Sequence, residues 1–297
     1  MGRQTFFEMI LKLLFTFLIV LPNKPNDVNL ISNRYFDIFY PSARKNIAED
    51  VSNYSVSELE RISRNLHITA VEKIQISILE ENEFNEKYGS YLPEWGIGFA
   101  IPKKSLIILK FPMSFFNPSR LKFIVGHEIA HVLIHRKAGA FIPRWFDEGT
   151  AIYLSKEPNF IDEIKLSTAV ILKRIIPLKD LTQSFPYSGA RANLAYIESA
   201  STIEYLISEY GPYIVNQILS ETKEARDFGN GFLIATGVDL TVFELEWRTW
   251  LKKRFTVTFI LKPNLLFLIV AIFVIIIGIT RKLRRSRLRS SDECIED

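Results

Sequence analysis

Cysteine is almost missing from this chain: Cys294, close to the C-terminal end, is the only one in 297 residues. No intrachain disulfide can form and no thiolate cluster can hold a metal, which excludes disulfide-stapled scaffolds and cysteine-based zinc modules. With so little cysteine, the redox compartment cannot be read. Histidine is scarce too, with four residues in all. Basic charge is lacking in the body of the chain. The formal net charge of +4 is outweighed by Arg281, Lys282, Arg284, Arg285, Arg287 and Arg289, and setting those six aside leaves −2. A near-neutral body carries no electrostatic footprint for nucleic acid. No internal repeat is visible. Apolar residues are plentiful, at 48%, enough at this length for one large core or two small ones.

Three of the four histidines, His127, His131 and His135, fall within nine residues. The stretch from 117 to 135 reads as one helix, with Asn117 as N-cap, Pro118 in the first helical position and Gly139 to close the other end. Residues four apart share a helix face, so His127 and His131 can aim imidazole nitrogens at one ion. Glu128 is turned away by about 100°. It therefore flanks such an ion, where a carboxylate can take a proton from water. His135 reads as an ordinary residue of the last turn, favourable to the helix dipole. Ile134 and Lys137 stand where the metzincin subtype needs a glycine and a third histidine, which excludes that subtype. A third ligand is expected from the segment running from Pro143 to Leu154, across a turn at residues 139–143. Glu148 is the candidate, Asp147 beside it is equally acidic, and Gly149 would let the two helices approach closely.

His127-Glu128-Ile129-Ala130-His131, followed by Pro143-Arg144-Trp145-Phe146-Asp147-Glu148-Gly149-Thr150-Ala151-Ile152-Tyr153, resembles the gluzincin metallopeptidases. Among them it is similar to the peptidase MA-like family of membrane-associated or secreted bacterial proteins. Two looser stretches, one around Tyr196 and Tyr205 and one from Phe243 to Leu251, extend the likeness over roughly residues 95 to 254. The resemblance implies zinc held by His127, His131 and Glu148, with Glu128 as general base. It implies a tyrosine or histidine donor near the oxyanion, for which Tyr196 is the candidate and Tyr187 and Tyr153 are rivals. Glu198 departs from the family pattern, where an amide is more usual. The competing reading is a membrane-anchored binding module whose metal site is structural or vestigial.

In chain order, residues 1–22 read as a signal peptide or an uncleaved signal anchor, with Arg3 before a short apolar run. Residues 23–33 read as a polar linker. A strand is expected at 35–40, an amphipathic helix at 43–66 and a half-buried strand at 73–79, with His67 on the surface. Residues 96–101 and 106–111 read as a hairpin with its turn at 102–105, Gly96 and Gly98 marking a bulge or close approach. An exposed edge of that hairpin beside the metal helix could bind an extended peptide. Helices are expected at 160–175, 190–210, 212–220, 227–236 and 241–254, with a loop at 177–187. Residues 259–280 read as a transmembrane helix, and the basic tail at 281–297 places the body outside the cytoplasm. A protease that works within the membrane is excluded, because the histidine helix carries Arg120, Lys122, His135 and Arg136.

The expected fold class is α+β and zincin-like. A small N-terminal sheet sits with its edge strand beside the His-Glu helix (34–139), a mostly helical lobe follows (140–254), and a C-terminal transmembrane helix completes the chain. The expected partners are a peptide or protein substrate and the lipid bilayer, without nucleic acid.

Overall fold

Ile74, Ile76 and Ile78 are buried while Gln75 and Ser77 between them are not. In the computed structural model, which describes residues 28–89, 97–111, 118–156, 160–186, 189–261, 267 and 270–282, this alternation forms the middle strand of a five-stranded sheet. The strands are β1 (Val28–Ser32), β2 (Phe36–Pro41), β3 (Ile74–Glu80), β4 (Gly98–Ile101) and β5 (Leu106–Phe111), in spatial order β1-β2-β3-β5-β4. β3 pairs in parallel with β2 and β5, and both outer pairs are antiparallel.

The linker expected over residues 23–33 is corrected at its C-terminal end, where β1 pairs with β2 from Val28↔Pro41 to Ser32↔Asp37. Its polar side chains mislead because the pairing runs through the main chain. Asn33 makes the turn, its side-chain oxygen accepting from the N–H groups of Tyr35 and Phe36 at 2.9 Å each.

Helix α1 (Lys45–Asn65) buries Ala48, Val51, Ser55, Leu59 and Ile62, at the spacing of one helical face. A short helix, α2 (Glu81–Tyr88), has no counterpart among the sequence expectations. It covers the other sheet face through Phe84 and Tyr88, which pack with Leu79, Ile108 and Phe99. Helix α3 (Pro118–Ala138) buries Leu121, Val125, Ile129, Ala130, Val132, Leu133 and Ile134. The helix runs through the core with its middle turns buried, while Arg120 and Lys122 near its start stay exposed. It stops at Gly139, whose φ of +59° suits glycine and whose N–H bonds to the His135 carbonyl at 3.0 Å. Arg136 ties that end to the sheet, donating to the Glu72 carbonyl at 2.9 Å and to Ser105 Oγ at 2.6 Å.

The rest of the body is helical: α4 (Arg144–Ser155), α5 (Phe160–Ile171), α6 (Gly189–Tyr210), α7 (Ile214–Ala225), α8 (Phe228–Thr236) and α9 (Leu240–Leu261). Its core is aromatic. Trp145 stacks on Phe243 with centroids 6.0 Å apart, and Phe146 meets Phe228 edge-on at 5.0 Å. The close approach anticipated at Gly149 is made to α6, not to α3. A Cβ at Gly149 would lie 2.2 Å from the Ser199 carbonyl oxygen, so α4 and α6 meet main chain to main chain. The loop expected at 177–187 contains a 3-10 turn, Leu178–Leu181.

Among the described residues no helix is long and apolar enough to cross a membrane. Of the span expected at 259–280, residues 262–266, 268 and 269 lie outside the described residues, as do the expected leader at 1–22 and the tail from 283 onward. Residues 270–282 are helical, and Ile272 to Ile277 are roughly half exposed or more.

Candidate metal centre

The i, i+4 spacing on α3 does what its geometry dictates: the Nε2 atoms of His127 and His131 lie 3.1 Å apart. α4 packs against α3 after the turn at Gly139 and brings Glu148 against them, its Oε2 at 3.4 Å from His127 Nε2 and 3.6 Å from His131 Nε2. These three residues form a cluster able to hold a metal ion. The choice between neighbouring acids, open in the sequence, falls to Glu148 at this point.

Asp147 has a different task. Its Oδ1 faces His131 Nδ1 at 2.8 Å and its Oδ2 faces His135 Nε2 at 3.0 Å. A donor at His131 Nδ1 leaves Nε2 with its lone pair free for a ligand, the usual division of labour in carboxylate-histidine-metal arrangements. His135 is therefore not only a companion of the helix dipole, because its ring is held by the same carboxylate. The i, i+4 repeat from His131 to His135 was the sequence signal for this pairing.

The electrostatics suit a cation. Burial opposes charge on His131, yet Asp147 and Glu148 hold it well above its ordinary range. Burial pushes both acids upward as well, but the imidazoles prevail: His131 and His135 bring Asp147 down to about 2, and His127 and His131 hold Glu148 well below the usual carboxylate range. Glu128, 6% exposed, is raised by burial; the two histidines partly offset this, while Glu148 and Asp147 add to it. Two buried carboxylates, Glu128 and Glu148, and the half-buried Asp147 gather acidic charge that a divalent ion would offset.

β4 lies at the sheet edge next to this cluster. A Cβ at Gly98 would stand 2.9 Å from Leu109 Cδ2, 3.0 Å from the Ile108 carbonyl oxygen and 3.8 Å from Glu128 Cγ. The missing side chain thus lets β4 keep its close pairing with β5, and Glu128 lies within ordinary van der Waals distance of the same position. Gly96 lies outside the described residues.

Tyr196, on α6, is pushed up to about 12 by burial and by Glu148, with Arg144 opposing and Glu128 adding a smaller rise. It therefore senses both carboxylates that flank the cluster, and it packs edge-on against Phe185 at 4.9 Å. Of its rivals, Tyr153 is 45% exposed and Tyr187 lies outside the described residues. Sequence reasoning passed over Arg144, whose Nη2 pairs with Glu148 Oε1 at 3.2 Å. An arginine four residues before the acid was the available signal.

Glu198 is fully buried and away from the cluster. Both of its carboxylate oxygens face the Ile176 N–H, at 3.2 and 3.1 Å.

Comparison with known proteins agrees with this geometry. The chain is 28% identical over 137 residues to the uncharacterized protein YhcO of Bacillus subtilis (strain 168), a match covering 43% of this chain and 40% of that protein. A family model described as the peptidase MA superfamily matches residues 56–253, from within α1 to within α9. Because that match takes in both histidines, Glu128, Glu148 and the helices that position them, and covers about two thirds of the sequence, the chain belongs to the peptidase MA superfamily.

Proposed function

We propose that the protein is a membrane-anchored, zinc-dependent metallopeptidase of the gluzincin type, with His127, His131 and Glu148 as ligands and Glu128 as general base. The superfamily supports a peptidase-like, metal-dependent hydrolase; the finer reading rests on one observation, the triangle of donor atoms with sides of 3.1, 3.4 and 3.6 Å. A point close to that triangle lies about 2.0 Å from all three atoms, the length of zinc bonds to nitrogen and oxygen. Two imidazoles and one carboxylate are a catalytic donor set, since structural zinc normally has four protein ligands. When bound, zinc supplies Lewis acidity that activates water and polarises a carbonyl.

The remaining work belongs to side chains. Glu128, raised by burial, is a stronger base than an exposed carboxylate; it takes a proton from the attacking water and returns it to the leaving amine. Tyr196, pushed up to about 12, keeps its proton and donates a hydrogen bond to the developing oxyanion. The free edge of β4 pairs with an extended peptide through main-chain hydrogen bonds and sets the scissile bond beside Glu128. Asp147 holds His131 in the tautomer that presents Nε2.

Anchoring is drawn from the apolar run at 265–279 and the arginine-rich segment after it. The described turns of this segment expose their isoleucines with no cover from the body. Lipid would cover them, with the basic tail in the cytoplasm and the catalytic body on the other side. Metal analysis of the purified full-length protein tests the core of this reading. About one zinc per chain, lost in His131→Ala and kept in Glu128→Gln, together with new peptide termini generated by the wild type alone, is the expected result. Full hydrolysis by Glu128→Gln would refute the assignment of the base.

A further inference from the structure

The two oxygens of Glu148 face different partners. Oε2 points to the imidazole pair, at 3.4 and 3.6 Å. Oε1 forms an ion pair with Arg144 Nη2 at 3.2 Å. Arg144 is the first residue of α4. A cation there opposes the helix macrodipole, and an arginine placed N-terminal to its acid at i, i+4 is the weaker orientation of such a pair. Helix stability therefore does not account for it.

The guanidinium is held from several sides. It lies over the Phe185 ring at 5.1 Å, and the Arg144 main-chain N–H, at the start of the helix, donates to the Thr182 carbonyl at 2.9 Å, which fixes the residue's backbone. Tyr196 is coupled to it electrostatically and touches the same Phe185 ring edge-on. Its Nε is buried and has no hydrogen-bond partner among the described residues. A side chain placed for its own hydrogen bonding would not leave that donor empty. This one is placed for Glu148 and Tyr196.

We propose that Arg144 is a positioning residue that reserves Oε1 of Glu148, so that the carboxylate meets the ion through Oε2 alone and one side of the ion stays open to substrate. The inference rests on the metal reading given above. Because Arg144 and Tyr196 share the Phe185 ring and are electrostatically coupled, Arg144 links the ligand carboxylate to the oxyanion donor. Without the guanidinium, Oε1 is free to swing onto the ion and occupy the position that substrate needs.

The test uses the full-length protein in detergent, loaded with cobalt(II) as a visible probe of coordination. The wild type should show the intense visible absorption of a four-coordinate site. Arg144→Met keeps the length of the stem over Phe185, and it should still bind about one cobalt per chain but lose intensity several-fold as the coordination number rises. Arg144→Lys, which can still donate to Oε1, should restore it. Turnover of Arg144→Met should fall about 10- to 100-fold through kcat, with KM little changed. Spectra of wild type and Arg144→Met that coincide would overturn the proposal while leaving the metal site standing. A wild type that binds no cobalt would bring down the metal reading and this inference with it, and that outcome is visible at the first step. Should Arg144→Met fail to fold, X-ray absorption on the zinc-loaded wild type decides: one short carboxylate oxygen supports the proposal, and two oxygens from Glu148 on the ion refute it.

Discussion

Replacing Glu198 by glutamine should make the protein more stable in mildly alkaline solution and leave it unchanged in acid. The carboxyl of Glu198 is fully buried, and burial is the main reason it is pushed up to about 8. The Ile176 N–H, Arg248 and Arg191 pull the other way, and Glu244 adds to the rise. Arg248 is already engaged with Glu244 at 2.7 Å. The unfolded chain releases this proton near 4.5, whereas the folded protein keeps it up to about 8. Between those limits the folded state holds more protons, so each rise in pH removes stability, and the loss is complete above about 8. At about 1.4 kcal/mol per pH unit the ceiling is ~5 kcal/mol. Relaxation around a buried charge reduces this to an expected ~2–3 kcal/mol. Glutamine carries no charge, and its carbonyl oxygen can still accept from the Ile176 N–H. In a body of this size, that gain raises Tm by about 4–12 °C. Thermal unfolding of wild type and Glu198→Gln in detergent from pH 5 to pH 9 gives the difference directly, with other titrating groups cancelling. A Tm difference that stays constant across that range would refute the reasoning.

Asp147→Asn keeps an acceptor for the His131 ring but removes the charge behind it, and metal affinity measured by chelator competition should fall about 10- to 100-fold. Gly149→Ala places a methyl group 2.2 Å from the Ser199 carbonyl oxygen, so α4 and α6 must separate; denaturant titration should show a loss of about 3 kcal/mol or more, or no folded protein. Tyr196→Phe removes one donor to the oxyanion and should lower kcat about 100-fold at unchanged metal content. Equal kcat values would return that role to another residue.

Much of this centre is legible in the sequence, because its key spacing is local. His127 and His131 are four apart, and any helix puts them on one face. The hairpin from Gly98 to Phe111 is equally local, with Pro102, Lys103, Lys104 and Ser105 between two apolar runs. Glu148 and Asp147 are harder to tell apart. Which of two adjacent acids reaches the Nε2 atoms of His127 and His131 depends on how α4 is rotated, and that is fixed by the contact of Gly149 with Ser199, fifty residues further along the chain. Arg144 and His135 escaped for the same reason, since each acquires its role only once α4 lies against its neighbours. The strand β1 escaped for another. Its side chains are mostly exposed and carry no alternation, so only its main-chain pairing with β2 identifies it.

Backbone contact between α4 and α6 has a consequence for how the centre tolerates change. Glu148 adjoins Gly149, and Tyr196 stands one turn ahead of Ser199. The separation of Glu148 and Tyr196 along the two helices is therefore gauged by peptide groups, which every sequence shares, and not by side chains, which drift. Substitutions elsewhere in the aromatic core can reshape the lobe around this gauge while the span across the centre stays the same.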